Sequence, residues 1–76
     1  MINFFELLDM PISFNINKQK LFNNYLLLQK QYHPDNAANQ RESINFSHFA
    51  SIGNNAYTTL ENDLERAIYL LRLNNI

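Results

Sequence analysis

The chain has 76 residues, 46% of them hydrophobic, no cysteine and a formal net charge of -1. That length holds one small core and excludes two domains, and the missing cysteines exclude a disulfide framework or a thiolate metal site. The near-neutral charge argues against a nucleic-acid binder, which would present a basic stripe to phosphates. A core of this size supplies only roughly 3 to 5 kcal/mol of net stability, so a carved-out catalytic cavity is hard to accommodate and no enzyme is expected. The longest apolar cluster, Tyr25 to Leu28, falls far short of a bilayer span, and the N-terminus lacks the basic start and apolar run of a signal peptide. A soluble, unprocessed single domain over residues 1–76 is the expectation.

In chain order, Asn3 to Met10 groups Phe4, Phe5, Leu7 and Leu8 behind an asparagine suited to an N-cap, and Pro11 stops the short helix it predicts. Ile12 to Ile16 reads as a connecting loop whose Phe14 folds back onto the core. Asn17 caps the next helix, and Ile16 with Leu21 has the spacing of a hydrophobic staple. Through Tyr32 the residues Leu21, Tyr25, Leu28 and Tyr32 recur at intervals of three and four and form the inward stripe. Phe22, Leu26, Gln29, Lys30 and His33 share the adjacent outer face. The helix ends at Tyr32 or His33, because the ring of Pro34 pushes the preceding residue out of the α region.

Asp35 to Arg41 reads as a polar loop, expected to be the most mobile interior segment. Asn39 with Glu42 resembles a capping box, and Ser43 is an equally good start for the third helix. That helix runs to about Leu60 with Phe46, Phe49, Ile52 or Gly53, Ala56 and Leu60 as its buried stripe and Tyr57 at the edge. Gly53, the sole glycine, costs roughly 1 kcal/mol mid-helix relative to alanine, for which a close helix approach is one reason. Asn62 with Glu65 marks a fresh cap, Asp63 suits the positive end of the helix dipole, and a last helix over Asp63 to Leu73 turns Leu64, Ala67, Ile68 and Leu71 inward. No strand alternation or repeat is present, so the chain is read as all-α, its two long helices antiparallel with the polar loop at one end.

The chemically specific stretch is His33-Pro34-Asp35, a donor, a rigid bend and a carboxylate at the apex of that hairpin. Its plain reading is a proline that merely stops a helix. Its sharper reading is a protein-docking tip, and the surroundings favour that: Tyr25, Leu28 and Tyr32 precede it, a polar loop follows, and Asn54, Ala56, Tyr57 and Leu60 answer from the third helix. Together these residues resemble the J-domain family, co-chaperones that dock on DnaK-type heat-shock ATPases and stimulate ATP hydrolysis. Phe4-Phe5-Glu6-Leu7-Leu8 with Pro11 and Phe14, and Arg66-Ala67-Ile68-Tyr69-Leu70-Leu71 near the end, resemble the HscB branch of that family, which is dedicated to iron–sulfur cluster assembly. The resemblance implies an all-α fold, the antiparallel hairpin with short first and last helices packed against it. It implies a DnaK/HscA-type ATPase chaperone as partner, met by His33, Pro34, Asp35, Lys30, Tyr25, Leu26, Phe22 and Asn36. It implies no cofactor, metal or catalytic group, a monomer, and a bacterial cytoplasm or, in a eukaryote, the mitochondrial matrix. In HscB proteins a second helical domain holds the iron–sulfur scaffold; that role falls on no residue here, and the chain's end suggests a domain cut from something longer.

The resemblance has departures. Asn36 stands where the family commonly places Lys or Arg, and Asn24 and Leu26 fall where basic residues often line the outer face, whereas Lys30 matches a basic position. Docking is therefore expected to lean on apolar contact through Phe22 and Leu26 more than on charge. The competing readings are a general protein-folding J protein, a helical interaction module without ATPase coupling and, least favoured, a metal-dependent enzyme using His33, Asp35 and His48. Lys18, Lys20, Arg41 and Arg72 read as solvated helix-end charges. Arg66 is expected to have a structural role, paired with Asp63 or Asp35 or covering the core with its stem.

Overall fold

Four asparagines start the four α-helices of the computed structural model, which describes residues 2–74; Met1, Asn75 and Ile76 lie outside the described residues. The helices are α1 (Phe4–Leu7), α2 (Lys18–Gln31), α3 (Gln40–Glu61) and α4 (Asp63–Leu73). Asn3, Asn17, Asn39 and Asn62 each accept a backbone N–H three residues on, from Glu6 at 2.9 Å, Lys20 at 3.0 Å, Glu42 at 2.8 Å and Glu65 at 2.9 Å. Each bond satisfies an N–H that has no partner within its helix, an effect of about 1 kcal/mol. The third helix thus starts after Asn39 and not at Ser43. Its box is closed one residue early, for the Glu42 carboxylate accepts from Ala38 N–H at 3.3 Å.

The first helix stops earlier than Pro11 requires. Asp9 adopts φ 53°, a left-handed conformation that Asp tolerates better than most residues, and Met10 N–H turns back to the Phe5 carbonyl at 2.8 Å. That reversal buries Met10 beside Phe5 and Leu8 in the core, with Leu21, Leu28, Ala56 and Leu60. Ile16 and Leu21, the two ends of the expected staple, both pack in this cluster.

The long helices run antiparallel, as their pairings show. Tyr25 stacks on Tyr57 with ring centroids 4.4 Å apart, Gln29 Nε2 donates to the Ala50 carbonyl at 3.0 Å, and Tyr32 packs against Phe46 and Phe49 at 5.4 and 5.1 Å. Rising numbers on α2 meet falling numbers on α3. Gly53 sits at the crossing, where a Cβ would overlap Leu28 Cδ2, so the helix-propensity cost of glycine is offset by room for the Leu28 side chain to pack directly on its backbone. The stripe on α3 is Gly53, Ala56 and Leu60, with Phe46 and Ile52 half-buried. Phe49, expected inside, is 44% exposed and covers the Tyr32 ring from the rim.

The last helix is rotated from the expected orientation. Leu64 is 68% and Leu71 48% exposed, Ala67 and Ile68 are half-buried, and the buried residue is Arg66, with Tyr69 and Leu70 packed on the core. Leu64, Ala67, Ile68 and Leu71 form the more apolar face of this helix, yet the opposite side turns inward, and the bonds of Arg66 set that orientation. Its Nη1 donates to the Leu60 carbonyl at 2.7 Å, its Nε to the Phe14 carbonyl at 2.8 Å and its Nη2 to Asp63 at 2.8 Å. A buried guanidinium is costly unless paired and hydrogen-bonded, and here it is both. Asp35 has no part in this pairing. Phe14, expected in the core, is instead 46% exposed and lies under the guanidinium at 4.7 Å. Tyr69 carries the effect further, stacking on Phe4 at 4.7 Å while its hydroxyl accepts from Phe4 N–H at 2.9 Å.

Lys18 also reaches Asp63, at 3.1 Å, so it is not simply solvated. The hydrogen bond from Arg66, then that from Lys18, holds the Asp63 carboxyl below its ordinary value of 3.8. A depressed folded-state pKa stabilises the fold above the unfolded value, and that contribution is lost as pH falls through the folded one. Urea midpoints are expected to drop on acidification below about pH 4, with a shallower drop in Asp63→Asn, read by circular dichroism. Gly53→Val, which forces a branched side chain into Leu28, is expected to destabilise the fold by about 2 kcal/mol in the same titration.

Candidate functional site: the tip of the hairpin

The apex is assembled by local rules. Tyr32 closes α2 with its N–H on the Leu28 carbonyl at 3.0 Å, and His33 is extended at φ -66°, ψ 131°, as a residue before proline prefers. Pro34–Asn36 then forms a 3-10 turn, with Asn36 N–H on the His33 carbonyl at 2.9 Å and Ala37 N–H on the Pro34 carbonyl at 3.0 Å. Proline suits the first position of such a turn because its missing N–H would have no partner there. The expected polar loop is therefore shorter than the sequence suggests: a 3-10 turn and the residues 37–39 before α3 begins at Gln40.

Two side chains tie this turn down. His33 Nδ1 accepts from Asp35 N–H at 3.2 Å and lies 3.6 Å from the Asp35 carboxylate. That bond engages Nδ1 and leaves Nε2 as the ring nitrogen for a partner. Asn36 Nδ2 donates to the Lys30 carbonyl at 2.8 Å, satisfying one of the end carbonyls of α2. The Asp35 side chain remains 90% exposed and that of His33 60%.

Below the apex, Lys30 is exposed, Leu26 is 48% and Phe22 41% exposed, and the Phe22 ring leans on Tyr57 at 6.0 Å. These continue the face of His33 down α2. Tyr25 lies at its border, half-buried on Tyr57, with its hydroxyl donated to Asn54 Oδ1 at 3.1 Å. Two residues assigned to the outer face are elsewhere. Gln29 turns into the hairpin toward Ala50. Asn24 is half-buried, its amide donating to the carbonyls of Leu8 at 2.9 Å and Asp9 at 3.2 Å, where it holds the turn after α1. Hydrophobic period does not distinguish a solvated amide from one bonded to backbone, and neither role left a signal in the sequence. Among the described residues no group of three or more His, Asp and Glu side chains is placed to hold a metal ion, and no helix is long and apolar enough to cross a membrane.

An antiparallel helical hairpin that presents exposed His-Pro-Asp on a turn at its apex, with a short first helix and a last helix packed against it, is a J domain. No protein-family model matches the chain. Its relatives are the HscB co-chaperones, and its J domain is of the HscB type. It is 46% identical over 77 residues to co-chaperone protein HscB of Proteus mirabilis, covering 99% of this chain and 44% of that protein. The HscB of Buchnera aphidicola is 45% identical over 76 residues, 96% of this chain and 43% of the relative. The chain thus spans less than half the length of these relatives. Among solved structures, chaperone HscB from Vibrio cholerae superposes with a TM-score of 0.91 at 40% identity, covering 99% of this chain and 47% of that one. Human co-chaperone HscB gives 0.92 at 35% identity, covering 100% and 40%.

Proposed function

We propose that this J domain docks, through His33-Pro34-Asp35 and the Phe22, Leu26 and Lys30 face, on a DnaK/HscA-type ATPase chaperone and stimulates its ATP hydrolysis in iron–sulfur cluster biogenesis. The observation that carries this reading is the apex itself, an almost fully exposed carboxylate held on a hydrogen-bonded turn. A group so placed does no work for the fold. The domain performs no chemistry of its own; it binds the hydrolysis-competent arrangement of its partner better than the other, and that preference sets how far it shifts the equilibrium. Pro34 keeps the ordering cost of docking low, Asp35 accepts a charge-assisted bond from a cationic side chain, and His33 Nε2 donates beside it. Contact with an iron–sulfur scaffold belongs to a further part of the longer HscB proteins. The setting is a bacterial cytoplasm or a mitochondrial matrix, and the domain acts as a monomer.

His33→Gln is expected to abolish stimulation of single-turnover ATP hydrolysis while the helical circular dichroism stays unchanged; undiminished stimulation would reject the assignment. With Lys30 the one basic side chain on this face of α2 near the apex and apolar side chains beside it, raising salt is expected to weaken docking only modestly, read as the half-saturating concentration of the domain in the ATPase assay at two ionic strengths.

A further inference from the structure

The amide of Asn36 is an exposed side chain that spends its donor within the chain. Its bond to the Lys30 carbonyl spans six residues and joins the end of α2 to the far side of the 3-10 turn, closing a loop around His33, Pro34 and Asp35. The His33 Nδ1 bond closes the same turn from the other side. A lysine or arginine at position 36 would carry a long stem and a charge into solvent and has no short amide to make this bridge. Resting on the docking reading above, we propose that Asn36 is a positioning residue. It makes no contact with the chaperone. It fixes the turn so that the Asp35 carboxylate and the His33 ring are presented in one arrangement before the partner arrives. A mobile cation that would attract the partner is thereby exchanged for a brace that lowers the ordering cost of docking.

The test uses the chain as it is, with Asn36→Ala, Asn36→Lys and His33→Gln variants, a purified DnaK/HscA-type chaperone loaded with ATP, and single-turnover hydrolysis across a range of J-domain concentrations. A parallel measurement follows backbone amide exchange by NMR. Asn36→Ala is expected to raise the half-saturating concentration about three- to tenfold, the worth of one such hydrogen bond, and to leave maximal stimulation unchanged. Exchange at residues 36 and 37 is expected to accelerate by a comparable factor while amides in the middle of α2 keep their rates. Asn36→Lys is expected to show the same accelerated exchange together with a steeper salt dependence of half-saturation. A raised half-saturation with unchanged exchange would make Asn36 a direct contact and overturn the inference, as would unchanged half-saturation or a lowered maximum. His33→Gln separates the two readings: full stimulation by that variant rejects docking through the apex, whereas its loss alongside a silent Asn36→Ala rejects the brace alone.

Discussion

The rest of the structure hangs on the guanidinium of Arg66. It is buried at 4% exposure, and its three bonds reach the Phe14 carbonyl in the first long connection, the Leu60 carbonyl at the end of α3 and Asp63 at the start of α4. A charge taken out of water demands that each donor be met, so those segments are held in register around it. From there the order propagates by contact. Arg66 fixes the rotation of α4, Tyr69 on that helix receives Phe4 N–H and stacks on its ring, and the reversal after α1 accepts Asn24 from α2. The path leads from the end of the chain to the helix that carries the apex.

The hairpin itself depends on how closely α2 and α3 approach. Gly53 permits the contact with Leu28, and the stacked Tyr25–Tyr57 pair and the Tyr32–Phe46–Phe49 cluster set the register on either side. These ring and glycine contacts end at Tyr32, and the residues of the apex must satisfy their own polar groups locally. They do so within six residues, through the backbone bonds of the 3-10 turn and the side chains of His33 and Asn36. What is left over at the apex is a carboxylate, an imidazole and a lysine. A fold of this size has little stability to spare for a cleft. A site made of groups that project from a braced turn asks for none.

Much of this was legible in the sequence. The asparagine caps, with Ser43 the one rival start, the helical stripes and the proline stop follow from rules that act over three or four residues, and His33-Pro34-Asp35 announced itself by composition and place. The errors share a cause. Helical period turns Leu64 and Leu71 inward and Gln29 outward, the basic positions of the J-domain family put Asn24 outward, and Phe14 reads inward as an apolar residue in a connecting loop. The deciding partners lie outside the local pattern: the carbonyls of Phe14 and Leu60 for Arg66, those of Leu8 and Asp9 for Asn24, and that of Ala50 for Gln29.

The sequence by itself therefore determined the number and approximate extent of the helices, which two pair, and which three residues stand at their junction, since caps, periodicity and the proline ring are properties of neighbouring residues. Only the tertiary structure decided the rotation of α4, the tying of α1 to α2 and the closure of the apex by Asn36. Those rest largely on side-chain hydrogen bonds to backbone carbonyls, and a carbonyl is the same in every residue, so nothing in the sequence marks which one a side chain will find.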